Sequence, residues 1–293
     1  MSISYAYHRP LPIGGDLAVQ SDPGPRPWNA HHVTINAYRR STAVAIGDGD
    51  SLNDHDHASF YARIAAETSA AAAAHSANAA AGVHAARQAL AISFAEEADR
   101  SSTESGAIVA GLMTAVVTDW LIDLSWTGNA LAFALTSDNA VHALVRPNPA
   151  TWALQPVQHR QVWREHSGPP GDAAEVLDVR RLLLCSDGLA LPLRVGEITR
   201  IFSREASAPA LCAQLVAAAN QAGALDNLTV AIIDLPTTPT AAETATEAAT
   251  STSRRFLLPV HAIPSPGDHD AGTSRRGVPA DAGRSSAPLL HAA

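Results

Sequence analysis

Four short runs rich in aliphatic and β-branched residues follow one another between Gly111 and Val145: GLMTAVV, WLIDLSW, ALAFAL and AVHALV. The gaps between them hold Thr118-Asp119, Gly128-Asn129 and Ser137 to Asn139, residues that reverse a chain tightly. Turns of this kind join antiparallel neighbours, so this stretch predicts a β-meander and sets the fold class for whatever surrounds it.

The flanking segments are consistent with that frame. Val33 to Ile46 is apolar and β-branched and predicts one or two strands. Ser59 to about Ala98 is Ala-rich, has no proline and a single glycine at 82, and predicts a long helical region or two helices broken near Ala81 and Gly82. Further on, VRRLLLCSDG reads as a buried strand ending in a sharp turn. VGEITRIF and ALCAQLVAAANQAG read as helices, the second stopped by Gly223, and LTVAIIDL as a last strand. The first 30 residues, with Pro10, Pro12, Pro23, Pro25 and Pro27, predict an irregular lead-in. From Pro236 onward the composition cannot bury enough apolar surface to offset ordering entropy, and a disordered tail is expected apart from the apolar island FLLPVHAI at 256–263. Strands in runs and helices in runs predict an α+β fold of two packed antiparallel β-sheets flanked by helices, an α-β-β-α sandwich. The expected organisation is a lead-in over 1–25, a folded domain over 26–235 and a tail over 236–293.

The charge pattern narrows the function. No lysine occurs; up to Leu235 there are 15 Arg against 23 acidic residues, and the remainder has five of each. An acidic body argues against nucleic acid or an anionic membrane as partner and is compatible with bound cations. Cys185 and Cys212 are the only cysteines, both in apolar surroundings, and are expected to be buried reduced thiols. No apolar run reaches the ~20 residues of a membrane span, and the N-terminus lacks a basic segment followed by an apolar one. The protein is expected to be soluble and cytoplasmic.

The chemistry concentrates in VAIGDGDSLNDHDH, residues 44–57, where four aspartates and two histidines follow a strand-like run. A calcium loop fails there, because its fifth, sixth and twelfth positions are Leu52, Asn53 and Ser59. A dehalogenase-like phosphatase motif fails as well, for want of a preceding Asp-x-Asp and of any lysine. A third reading keeps only Ile46-Gly47-Asp48-Gly49 and adds two more aspartates at strand ends. Asp187 follows the strand in LLLCSDGL, and Asp226 precedes the strand in ALDNLTVAII. Carboxylates gathered at a sheet edge suit hard divalent cations, which would relieve their mutual repulsion.

Those three motifs, in that order and spacing, resemble the metal-dependent protein phosphatases of type 2C over roughly Arg26 to Leu235. The resemblance implies a β-sandwich flanked by helices and a centre of two Mn2+ or Mg2+ ions that hydrolyses phosphoserine or phosphothreonine in a phosphorylated protein without a covalent intermediate. By the same resemblance Asp48 is the bridging carboxylate, Gly49 offers its carbonyl, and Asp187 and Asp226 hold the other metal. Arg26, in RPWNAHH, matches the arginine that clamps the phosphoryl oxygens. Asn29, His31, Asn129 and Asn227 are further candidates. The chain also departs from the pattern: Ala30 and His31 replace an acidic pair, Asn129 replaces an aspartate, and Asp50-Ser51-Leu52 replaces a flexible turn. A weakened site is expected, or alternatively a pseudophosphatase that keeps the fold as a binding or regulatory module.

Overall fold

Strands begin earlier than the prolines imply. The computed structural model describes residues 4–50, 55–100, 108–146, 157–164 and 175–236. In it β1 (Tyr5–Pro10) and β2 (Asp16–Asp22) form a hairpin turned at Gly14 and Gly15, whose φ angles are 84° and 83°. The irregular lead-in is therefore corrected. Pro10 ends an edge strand, Pro12 lies in the turn, and Pro23, Pro25 and Pro27 lie beyond β2, so none removes an interior ladder hydrogen bond. Because β2 pairs along its length with the last strand, β12 (Leu228–Asp234), the folded unit starts well before Arg26.

The segment 33–46 widens into a hairpin of β3 (His31–Tyr38) and β4 (Ser41–Asp50). The helical region is two helices, α1 (His55–Ser76) and α2 (Ala79–Arg100). Their break falls at Ala77, with φ 51°, and Asn78, whose Oδ1 accepts the Ala81 N–H at 2.8 Å. Gly82 has another use: a Cβ there would meet the Ser69 carbonyl oxygen at 2.6 Å, so it lets the two helices pack closely.

The remaining elements are β5 (Ile108–Val117), β6 (Leu121–Thr127), β7 (Leu131–Thr136), β8 (Val141–Val145), β9 (Gln158–Trp163), β10 (Glu175–Val176), β11 (Val179–Cys185), α3 (Asp187–Ala190), α4 (Val195–Phe202) and α5 (Ala208–Gln221). They complete two six-stranded sheets, ordered β1-β2-β12-β11-β7-β8 and β10-β9-β6-β5-β4-β3. All pairings are antiparallel except the short β9–β10 edge. The expected meander is corrected in one respect: β5 and β6 belong to one sheet and β7 and β8 to the other. The chain changes sheets at Gly128, with φ 80°, where a Cβ would come within 2.3 Å of the Ala110 carbonyl oxygen.

The α-β-β-α layering follows from which faces are apolar. Val44, Ile46, Met113 and Leu124 of one sheet meet Leu182, Leu184, Ala231 and Ile233 of the other in the central core. Small residues let α1 lie close to its sheet, with Ala66, Ala70 and Ala73 against Ala43 and Ala45. Leu211, Leu215 and Phe202 of α4 and α5 cover Leu183 and Ile232 on the opposite side. Burial of this extent, at roughly 25 cal/mol per Å² of apolar surface, is the main stabilising contribution. Cys185 and Cys212 are buried and free. Among the described residues no helix is long and apolar enough to cross a membrane. The chain divides into units of 1–240 and 241–293; the second, with the expected tail and its apolar island, lies outside the described residues.

Candidate metal centre

Two strand junctions meet at one end of the sandwich. In one sheet β3 starts where β4 finishes, pairing His31 with Asp48. In the other, β12 starts where β11 finishes, so Asp187 and Asp226 flank the same edge. A buried polar seam ties the two sheets there: His31 Nδ1 is hydrogen-bonded to Thr229 Oγ1 at 3.0 Å, and Thr229 Oγ1 to Ser21 Oγ at 2.9 Å. Ser186 Oγ accepts the Thr229 backbone N–H at 3.1 Å, which fixes the residue preceding Asp187.

Arg26 is carried by the loop between β2 and β3, and that loop is held by Asn227. The fully buried Asn227 side chain accepts the Ala30 N–H at 2.8 Å and donates to the carbonyls of Pro23 at 2.9 Å and Trp28 at 2.8 Å. With its side-chain bonds spent on backbone, Asn227 acts as a loop clamp instead of a ligand. Asn29 is likewise structural, donating to Ser21 Oγ at 3.0 Å and accepting the His31 N–H at 3.1 Å. Gly49 and Gly188 are needed for space. A Cβ at Gly49 would lie 2.3 Å from the Ala58 carbonyl oxygen, and one at Gly188 would lie 2.0 Å from that of Asn227. Each Asp-Gly pair thus sets its aspartate against a close backbone crossing.

The three carboxylates sense one another. Burial, reinforced by the charges of Asp48 and Asp226, pushes the Asp187 carboxyl up to about 6. Burial also raises Asp226, against the opposing pull of the Asn227 backbone N–H that it accepts and of Arg26. His31 is buried, which by itself favours the neutral ring. The charges of Asp48, Asp226 and Asp187 outweigh that, and its affinity for a proton rises above the usual histidine range.

Two basic side chains already engage the acids. His31 Nε2 stands 3.1 Å from Asp48 Oδ1, and Arg26 Nη2 donates to Asp226 Oδ2 at 2.8 Å. Asp226 Oδ1 accepts the Asn227 N–H at 2.7 Å. This pairing explains a feature of the geometry: among the described residues no three His, Cys, Asp or Glu side chains are drawn together tightly enough to hold a metal ion. The acids share one end of the molecule, but Asp226 is turned toward Arg26. The donor chemistry nonetheless fits a hard divalent cation. It consists of carboxylate oxygens, with Asp187 and Asp226 raised by burial and by neighbouring charge that a cation would relieve, plus the Asn129 Oδ1 atom, which is buried and has no hydrogen-bond partner among the described residues. Asn129 follows Gly128 in the turn packed on Gly111, the glycine paired with Asp48.

Sequence reading missed Ser21, Ser186 and Thr229. The signal for the last two was present, since both adjoin the Asp motifs and would be expected to share the inward face of an alternating strand. Ser21 had none, because its strand was expected to be irregular.

No family model matches the chain, and none of the curated proteins matches it in sequence. Solved structures do match in shape. A serine/threonine phosphatase of Staphylococcus aureus aligns with a TM-score of 0.57 at 14% identity, covering 78% of this chain and 98% of that one. The Mycobacterium tuberculosis serine/threonine phosphatase PstP aligns with a TM-score of 0.53 at 18% identity, covering 80% and 99%. The catalytic domain of PstP in complex with two manganese ions aligns with a TM-score of 0.51 at 20% identity, covering 79% and 99%. This chain has the fold of the bacterial type 2C serine/threonine phosphatases.

Proposed function

We propose that the chain is a metal-dependent phosphoserine/phosphothreonine protein phosphatase with a divergent site and two Mn2+ or Mg2+ ions as cofactors. The observation that carries this reading is the placement of Asp48, Asp187 and Asp226 at one end of the sandwich, with Arg26 reaching one of them. The two manganese ions of the similar PstP domain support it. Asp48 would bridge the ions, Gly49 would lend its carbonyl, Asp187 and Asp226 would hold the second ion, and Asn129 would add a neutral oxygen. When bound, such ions lower the pKa of a water and neutralise charge on the phosphoryl oxygens. The Arg26 guanidinium would bind and orient those oxygens, since its planar fork matches two of them at once. His31 fixes the orientation of Asp48 through their shared hydrogen bond. Buried thiols at Cys185 and Cys212 fit a reducing compartment, so we place the enzyme in the cytoplasm, acting in signalling on phosphorylated protein.

One observation favours a second reading, a catalytically inactive binding or regulatory module: Ala30 supplies no carboxylate, and His31 and Arg26 already engage two of the acids. Titrating Mn2+ against para-nitrophenyl phosphate and a phosphothreonine peptide separates the two. Hydrolysis that appears with Mn2+ and falls at least 100-fold in Asp187→Asn, a drop of about 3 kcal/mol in transition-state stabilisation, is the expected result. No turnover at saturating metal overturns the enzyme reading in favour of the module.

A further inference from the structure

The Arg26–Asp226 pair joins the two halves of the proposed site. Its cation is the group assigned to the phosphoryl oxygens, and its anion is one of the groups assigned to the metal. The contact is a single bond, Nη2 to Oδ2 at 2.8 Å; among the described residues the other hydrogen bond of the Arg26 side chain, from Nε to the Leu225 carbonyl, is long at 3.5 Å. The two side chains are 30% and 28% exposed, so water can replace either partner when the pair opens. The backbone on both sides stays in place. Asn227 clamps the loop at Pro23, Trp28 and Ala30, and Gly24, held by Asp22 Oδ1 at 2.8 Å, packs directly on the Asp226 carbonyl. Only the flexible stem of Arg26 has to swing.

We infer that this ion pair couples a divalent cation and a phosphoryl dianion positively at the site, because each ligand needs one member of the pair and on binding releases the other. The inference rests on the phosphatase reading and deepens it. A cation at Asp226 offsets the charge that holds Arg26, which becomes available to phosphate. Phosphate at Arg26 leaves Asp226 without its internal counter-ion and raises its affinity for the cation. Linkage requires the two effects to be equal.

Calorimetric titration of the full chain with Mn2+, with and without inorganic phosphate, tests this, with Asp187→Asn, Arg26→Met and Arg26→Lys beside the parent. A parallel titration of Mn2+ into phosphate alone corrects for their direct association. The expected result is Mn2+ binding that depends on Asp187 and is tightened several-fold by phosphate. Arg26→Met should bind Mn2+ several-fold more tightly than the parent and show no phosphate effect, whereas Arg26→Lys, which keeps the competing charge, should stay near the parent affinity. Mn2+ binding that depends on Asp187 but is unchanged or weaker in Arg26→Met, or equally tightened in Arg26→Lys, overturns the coupling and leaves the phosphatase reading standing. A parent chain that binds no Mn2+ overturns both.

Discussion

The imidazole of His31 is buried between Asp48 of its own sheet and Thr229 of the other, with Nε2 3.1 Å from Asp48 Oδ1 and Nδ1 3.0 Å from Thr229 Oγ1. One side chain thus pairs with a carboxylate and closes the seam between the sheets. Truncation removes both bonds and leaves Asp48 and Thr229 short of partners in a partly dry environment. His31→Ala is expected to lower stability by about 2–4 kcal/mol, read from the urea midpoint at unchanged slope. His31→Asn, which keeps the bond to Thr229, should lose less; equal losses would refute the role of Thr229.

Stability of the metal-free protein should depend on pH through Asp187. Its folded carboxyl titrates near 6, above the usual 3.8, so between those values the folded state binds more protons than the unfolded one. Stability is then complete below about pH 4 for this group and falls as pH rises to about 6, by something on the order of 1–3 kcal/mol. His31 continues the decline: its raised affinity stabilises the fold below the unfolded histidine value of 6.5, and that contribution is lost as pH rises through its higher folded value. Urea unfolding in the presence of chelator, from pH 4 to 8, measures both. Asp187→Asn should flatten the lower window and narrow the upper one only slightly, since Asp48 and Asp226 contribute more than Asp187 to the His31 shift.

Asn227 is predicted to be a stability residue whose loss also disables the Arg26 loop. Asn227→Ala deprives the Ala30 N–H and the Pro23 and Trp28 carbonyls of partners in a buried place, for an expected cost of about 2–4 kcal/mol. Limited proteolysis should then cut between Pro23 and Ala30, where the parent resists. An intact loop in the variant would show that other contacts hold it.

Asn129→Asp tests the donor set. The Asn129 Oδ1 atom is buried without a hydrogen-bond partner among the described residues, so a carboxylate there adds charge that a cation would satisfy. The variant should be less stable than the parent in chelator and should bind Mn2+ about 10-fold more tightly by calorimetry. Unchanged Mn2+ affinity would remove Asn129 from the site.

Local patterns carried most of the fold. The run of apolar strands with Asp, Gly and Asn turns, the Ala-rich helices and the glycine stop at Gly223 are written in neighbouring residues, because backbone preference and burial period act over a few positions. The paired Asp-Gly motifs marked the ends of strands for the same reason. The first hairpin was not legible, since prolines at strand ends and in turns look the same in sequence as prolines in an irregular segment. The partition of the four central strands between two sheets was equally hidden, because a turn that changes sheets and one that stays within a sheet use the same residues.

The sequence by itself determined the layers, the strand ends and the identity of the acids. Only the tertiary structure decided their partners: that His31 turns to Asp48, that Arg26 holds Asp226, and that Asn227 serves a loop. Composition and spacing can say that like charges will be brought to one edge. Which cation answers each charge depends on contacts between residues some 200 positions apart, as with Arg26 and Asp226, and such contacts exist only after the two sheets have packed.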